Sequence, residues 1–306
     1  MKKISLIVGA AVVSMAAQSA MATCTDIAAN QAALVTAANT AASKVTGGYG
    51  LPMWITAVDE NGVVCYVVTS NSEVAGGGAY DWKKTTTSGA AASNQQWLGS
   101  RVISAQKANT ANAFSIDNYA ISTANLYAPT QPGGSLFGLQ HSNPVDTAVA
   151  YGTGNGATAA ANAATFGTAT DIMVGKVVGG VNVFGGGLGL YKATGTKVGA
   201  IGVSGDTSCR DHAFAWEVRK ALGLDKLVYG ITNFNAAADE TRDAKTVTTL
   251  KNAAGGAVIG DELIISVGAI PASDVAEVTG NAYWKGWSQP ACPNTDLTHA
   301  SYVFTK

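Results

Sequence analysis

The sequence predicts a mixed α/β (α+β) fold in which a mainly antiparallel sheet is covered by helices. Three observations lead there. Helical stretches and strand-like runs follow one another as helix, hairpin, helix, hairpin, helix. Asn61-Gly62 sits between two β-rich runs, the pattern of a tight hairpin turn. Gly152-x-Gly154-x-Gly156 lacks the third glycine spacing and the βαβ surroundings of a dinucleotide fold.

The first 22 residues read as a secretory signal peptide. Met1-Lys2-Lys3 is a short positive start, Ile4 to Ala17 an apolar run, and Ala20-Met21-Ala22 a small-x-small cleavage site, placing the cut after Ala22. The apolar run is too short to span a bilayer, and Thr23 before Cys24 does not fit a lipoprotein. No later stretch reads as transmembrane, so the expected product is periplasmic or secreted. Without Lys2 and Lys3, 17 basic residues face 20 acidic ones. That balance argues against nucleic acid or an anionic membrane surface as the partner.

Thr25 to Val45 is Ala-rich with helical spacing and ends at Gly47-Gly48. Met53 to Val58 and Val63 to Thr69 are the arms of the first hairpin. A polar insertion near 70–93 follows, then a helix over Asn94 to Phe114 carrying Trp97, Val102, Ala105 and Ala108. Ser122 to Tyr127 reads as a short helix. A second insertion near 145–175 includes the low-complexity run Gly152 to Thr170, read as a loose excursion. Val177 to Phe184, Leu188 to Tyr191 and Lys197 to Ser204 are strand-like. Ser208-Cys209-Arg210-Asp211 opens a helix that runs to Leu222 and stops at Gly223. Beyond Leu227 only scattered apolar runs and the aromatic tail Tyr283-Trp284-Lys285-Gly286-Trp287 stand out.

Four cysteines remain after cleavage: Cys24, Cys65, Cys209 and Cys292. No C-x-x-C occurs, which excludes a zinc ribbon or c-type haem attachment. In an oxidising compartment the even count points to two disulfides with three pairings open. The favoured pair is Cys24–Cys65, stapling the first helix to the hairpin, with Cys209–Cys292 tying the tail to the core. Gly202-Val203-Ser204-Gly205-Asp206 misses the G-x-S-x-G nucleophile elbow by one residue. Only His141, His212 and His299 are present, and no zinc spacing links them. His212, in the first turn of a helix beside Asp211, is the histidine best placed to ligate iron as a neutral imidazole.

Several blocks resemble the GlcG/HbpS-type haem-binding family. They are Gly179-Gly180-Val181 with Phe184-Gly185-Gly186-Gly187, then Val198 to Gly205 (VGAIGVSG) and an acid before a helix. Upstream, Ala105 to Ala111 and Pro132 to Leu139 resemble the family's first long helix and central loop. The resemblance runs over most of Thr25 to Leu222, apart from the two insertions. It implies a profilin-like domain over 23–225 with a five-stranded, mainly antiparallel sheet, homo-oligomers, and a C-terminal extension over 226–306 packing on that domain.

The cofactor implied is haem or another tetrapyrrole, with His212 as axial ligand and His141 as second choice. Arg101 and Lys107 are the cations for propionates, and Asp206 and Asp211, with His212, the ligands if free iron is handled. The tail, through Cys209–Cys292, would cover the Ser204–His212 loop, with Tyr283, Trp284 and Trp287 as an aromatic wall. Whether haem is turned over stays open. The rival readings are a small-ligand accessory or sensory module without metal, and a structural or assembly protein of the same fold.

Overall fold

The computed structural model describes residues 23–70, 97, 99–233, 251–266 and 286–305. The signal peptide, nearly all of the insertion near 70–93, and Tyr283 and Trp284 lie outside the described residues. The Asn30 side chain accepts the Ala33 amide, and this cap splits the expected first helix into α1 (Cys24–Ile27) and α2 (Gln31–Ala42). In the turn between β1 (Trp54–Val58) and β2 (Val64–Thr69), the Asp59 carboxylate accepts the Asn61 and Val63 amides. Gly62, at φ 78°, supplies the left-handed residue that turn needs.

Helix α3 (Gly99–Phe114) follows, then strand β3 (Tyr119–Ala120) and four short helices. These are α4 (Tyr127–Thr130), α5 (Leu139–Ser142), α6 (Thr147–Tyr151) and α7 (Ala157–Ala164). The expected helix at 122–127 is therefore displaced to α4. The expected loose excursion over 152–170 is corrected too: its alanines form α7, and Phe166 beyond it is buried beside Trp54, Val102 and Met173.

Strands β4 (Gly187–Tyr191) and β5 (Lys197–Ser204) form the second hairpin and lead into α8 (Ser208–Ala221). The sheet order is β2-β1-β5-β4, antiparallel throughout. Among the described residues, four strands, not five, make this sheet. Residues 177–184 were expected as a strand but form only isolated bridges, Val177 with Val63 and Gly179 with Val145. Gly179 at φ 70° and Gly180 at φ 79° break the extended path there.

After α8, β6 (Tyr229–Gly230) pairs in parallel with β3. A second, three-stranded parallel sheet, β8-β7-β9, is built from β7 (Leu263–Ser266), β8 (Ser288–Pro290) and β9 (Tyr302–Thr305).

The main sheet buries both faces. On one, Ile55, Ala57, Ile201 and Val203 join residues of α2 and α8. On the other, Trp54, Val58 and Ala200 join Val102, Ala105, Ala108 and Ala111 of α3. The α3 face explains two of the clustered glycines. Gly187 and Gly202 are cross-strand partners, and a Cβ on either would collide with the α3 backbone, at Lys107 O and at Ser104 O and Ala108 N respectively. The pair is a groove through which the helix backbone passes. Glycine density there serves helix-on-sheet approach.

Replacement of Gly202 by alanine should therefore force α3 off the sheet and cost about 3 kcal/mol, at the upper end for overpacking a core. Gly99→Ala, at a position with nothing within 4 Å of an added Cβ, should be neutral or slightly stabilising. Urea denaturation of the two variants makes the comparison; equal midpoints would refute the groove.

Candidate functional site

Helix α8 is polar in sequence and interior in place. Cys209 through Arg219 are all buried. The sheet and α2 lie against it, and residues after 250 approach its remaining side through Cys209, Glu217 and Arg219. Burial of charge demands partners, and most of the polar side chains on α8 have them. The helix starts at Thr207, whose hydroxyl accepts the Arg210 amide. Arg210 pairs with Asp206 at 2.8 Å. Arg219 makes a two-pronged pair with Asp261, at 2.6 and 2.8 Å. Glu217 meets Lys44 at 3.2 Å and Lys220 at 3.4 Å.

Asp211 reaches Lys107 of α3 at 2.8 Å, and the same ammonium donates to Val203 O at 3.0 Å. This bridge passes the sheet at Gly186, where a Cβ would lie 3.0 Å from Lys107 Nζ and 3.1 Å from Asp211 Cβ. Burial pushes the Asp211 carboxyl up to about 6, with Lys107 pulling it back. Burial also lowers the Lys107 amine, which Asp211 partly opposes. Desolvation outweighs the attraction on both partners.

His212 differs. It is 0% exposed, and among the described residues neither Nδ1 nor Nε2 has a hydrogen-bond partner. Its ring tilts against Trp216 at 6.2 Å between centroids. Gly185 lies against the same turn, where a Cβ would stand 3.0 Å from His212 Cβ. Burial, helped by the positive charges of Arg219, His299 and Lys107, holds its pKa well below the ordinary histidine value. The side chain is thus a neutral imidazole with unused nitrogens in the interior, an arrangement that costs about 1–3 kcal/mol where a polar group stays unbonded.

The structure brings His212, Asp211 and Lys107 together around Gly185-Gly186. The other residues singled out in the sequence lie apart from them or are already engaged. Arg101 sits two turns earlier on α3, fully buried, bonding Asp171 and, at 2.6 Å, Ala150 O, with its guanidinium stacked 3.7 Å over Phe166. It anchors the second insertion. Asp206 accepts the Tyr49, Leu51 and Thr207 amides besides pairing with Arg210. His141 is exposed on the short helix α5.

The structure contains two disulfides, Cys24–Cys65 and Cys209–Cys292. Trp287 packs with Ile231, Ile264 and Val303 in a separate cluster. Sequence reading missed Asp171 and Asp261, whose partners lie 70 and 42 residues away. It also missed Trp216, although its position four residues after His212 was a usable signal.

Residues 83–220 match the family model described as haem degrading protein HbpS-like. The HbpS-like stretch carries α3, β4, β5 and nearly all of α8, and so holds Lys107, Asp211 and His212. The β1–β2 hairpin and the parallel sheet lie outside it. No curated protein matches the chain.

Solved structures similar to it include the following three. Klebsiella pneumoniae protein ORFY is 18% identical, with 70% of this chain and 98% of that one covered and a TM-score of 0.40. A PduOC:haem complex is 19% identical, with 62% and 89% covered and a TM-score of 0.36. A double mutant of Streptomyces reticuli HbpS is 15% identical, with 72% and 99% covered and a TM-score of 0.37.

The buried neutral His212 has a measurable consequence. Its folded pKa is depressed, so the stability it contributes is complete above the unfolded value of about 6.5. That contribution is lost as pH falls through 6.5 toward the folded value, because unfolding then takes up a proton. The expected extra slope is about 1.4 kcal/mol per pH unit. Unfolding free energies of wild type and His212→Gln between pH 7.5 and 5 should diverge by that slope. Parallel curves would show that His212 titrates normally in the fold.

Proposed function

We propose that this chain is an exported haem- or tetrapyrrole-binding protein and that His212 is its iron ligand. The observation that carries the reading is His212 itself: a neutral imidazole with both nitrogens unpartnered among the described residues, inside the HbpS-like stretch. Neutral imidazole is the form that ligates haem iron. Bound haem would supply a redox-active iron in a planar apolar macrocycle. The chain's own part is to hold His212 uncharged, through burial and the cations around it, and to set its ring by packing on Trp216 and Gly185.

Export is supported by the signal-type start, Met1 to Ala22, and by two disulfides, which persist in oxidising compartments. Among the described residues, no helix is long and apolar enough to cross a membrane.

The donor set fits the iron better than the propionates. Arg101 and Lys107 were expected to hold the carboxylates of haem, but each already holds a buried carboxylate of the chain. Opening either pair would strand an interior charge, at about 3–5 kcal/mol. Propionates are therefore assigned to solvent or to other groups. The same self-satisfied pairs favour the second reading, a small-ligand or assembly module that keeps the fold without haem.

Haemin titration of the mature protein, followed at the Soret band, separates the two. The haem reading expects saturable, one-to-one binding that His212→Ala abolishes or weakens at least tenfold and His141→Ala leaves intact. A non-saturating titration, or one indifferent to His212→Ala, would leave the second reading standing.

A further inference from the structure

We propose that Cys209–Cys292 is a reducible latch that holds residues 286–305 over the His212 face of α8, and that a dithiol reductant opens it. Cys209, His212, Trp216 and Arg219 recur at three- and four-residue steps and share one stripe of the helix. Two described stretches, 251–266 and 286–305, are fixed at the two ends of that stripe. At one end Cys292 bonds Cys209, and Tyr302 Oη donates to Cys209 O at 2.9 Å. At the other, about 15 Å along the helix at 1.5 Å per residue, Asp261 holds Arg219. His212, with its two unpartnered nitrogens, lies between the two fixed points.

The surroundings of the sulfurs distinguish this bridge from the other. Three donors face it: the Cys209 amide at 3.1 Å and the Ser208 hydroxyl at 3.3 Å from Cys292 Sγ, and Gln289 Nε2 at 3.5 Å from Cys209 Sγ. Cys209 occupies the first turn of a fourteen-residue helix, where free amides and the dipole favour a thiolate. Cys209 is buried, and Cys292 is partly exposed.

Around Cys24–Cys65 the neighbours are oxygen. The Asp59 carboxylate lies within 4.8 Å of both sulfurs, and Val63 O is 3.8 Å from Cys65 Sγ. That setting opposes a thiolate. One bridge is built to release a stable thiolate and the other to stay closed.

The exchange balances. A thiolate of the dithiol attacks the accessible Cys292 Sγ, and the S–S bond breaks with its electron pair on Cys209 Sγ. The second thiol of the reductant then displaces Cys292 from the mixed disulfide. The two protons of the dithiol end on the two cysteines, and the reductant leaves as its own disulfide.

The test needs no haem, so it stands or falls apart from the haem reading. The mature protein is treated with graded dithiothreitol, its free thiols are trapped with iodoacetamide, and its histidines are probed with diethyl pyrocarbonate by peptide mass spectrometry. Cys209 and Cys292 should be alkylated about tenfold faster than Cys24 and Cys65. His212, protected in the oxidised protein while exposed His141 reacts, should gain about tenfold in carbethoxylation on opening and lose it on reoxidation.

Cys209→Ser/Cys292→Ser should show the open pattern with a cooperative thermal transition intact. If that variant does not fold, reoxidation of wild type decides, because a latch recloses with protection restored. Equal alkylation of the two bridges, or His212 protected to the same degree in the reduced protein, would overturn the proposal.

Discussion

Placing a polar helix in the interior is the constraint from which most of this structure follows. Helix α8 carries Arg210, Asp211, His212, Glu217 and Arg219, all buried. Each buried charge requires a counter-charge from elsewhere, because an unpaired one is far costlier than the packing it allows. The partners come from four places: Asp206 just before the helix, Lys44 after α2, Lys107 of α3, and Asp261 before β7. The ion pairs thus tie the two faces of the sheet and the C-terminal segment to one element. Among the described residues, His212 is the side chain of that helix with both of its polar atoms left unbonded; Arg210 Nε and Arg219 Nε are unbonded too.

The glycines of 185–202 serve the same geometry from the sheet side. Gly187 and Gly202 let α3 approach on one face, while Gly185 and Gly186 let α8 and the Lys107–Asp211 bridge close on the other. A side chain at any of these would separate layers whose charges must meet at hydrogen-bond distance. Close approach and charge pairing are therefore one requirement seen twice.

Much of this was legible in the sequence because local rules govern it. Lys197–Ser204, the Asn-Gly hairpin and the start of α8 came from alternation, turn chemistry and capping, and the structure has them at those places. The run 177–184 misled because it is rich in valine, a strand former, while Gly179 and Gly180 turn the backbone away. Asp171 and Asp261 could not be matched to Arg101 and Arg219, since no local pattern encodes a contact between distant segments. Lys107 and Arg101 were read as cations free for a ligand because charge ordinarily signals exposure; here both are interior. The parallel sheet escaped notice because its strands have three or four residues each and lie in separate parts of the tail.

The central claim is that His212 is an interior, neutral imidazole kept free for a ligand. Long-range proton–nitrogen NMR of the imidazoles tests it most directly, since three histidines give three assignable ring systems. The account predicts neutral-ring nitrogen shifts for His212 that stay fixed from pH 8 to 5.5 in the folded protein and move when haemin is added. A His212 ring that titrates near the ordinary value of about 6.5 would contradict it.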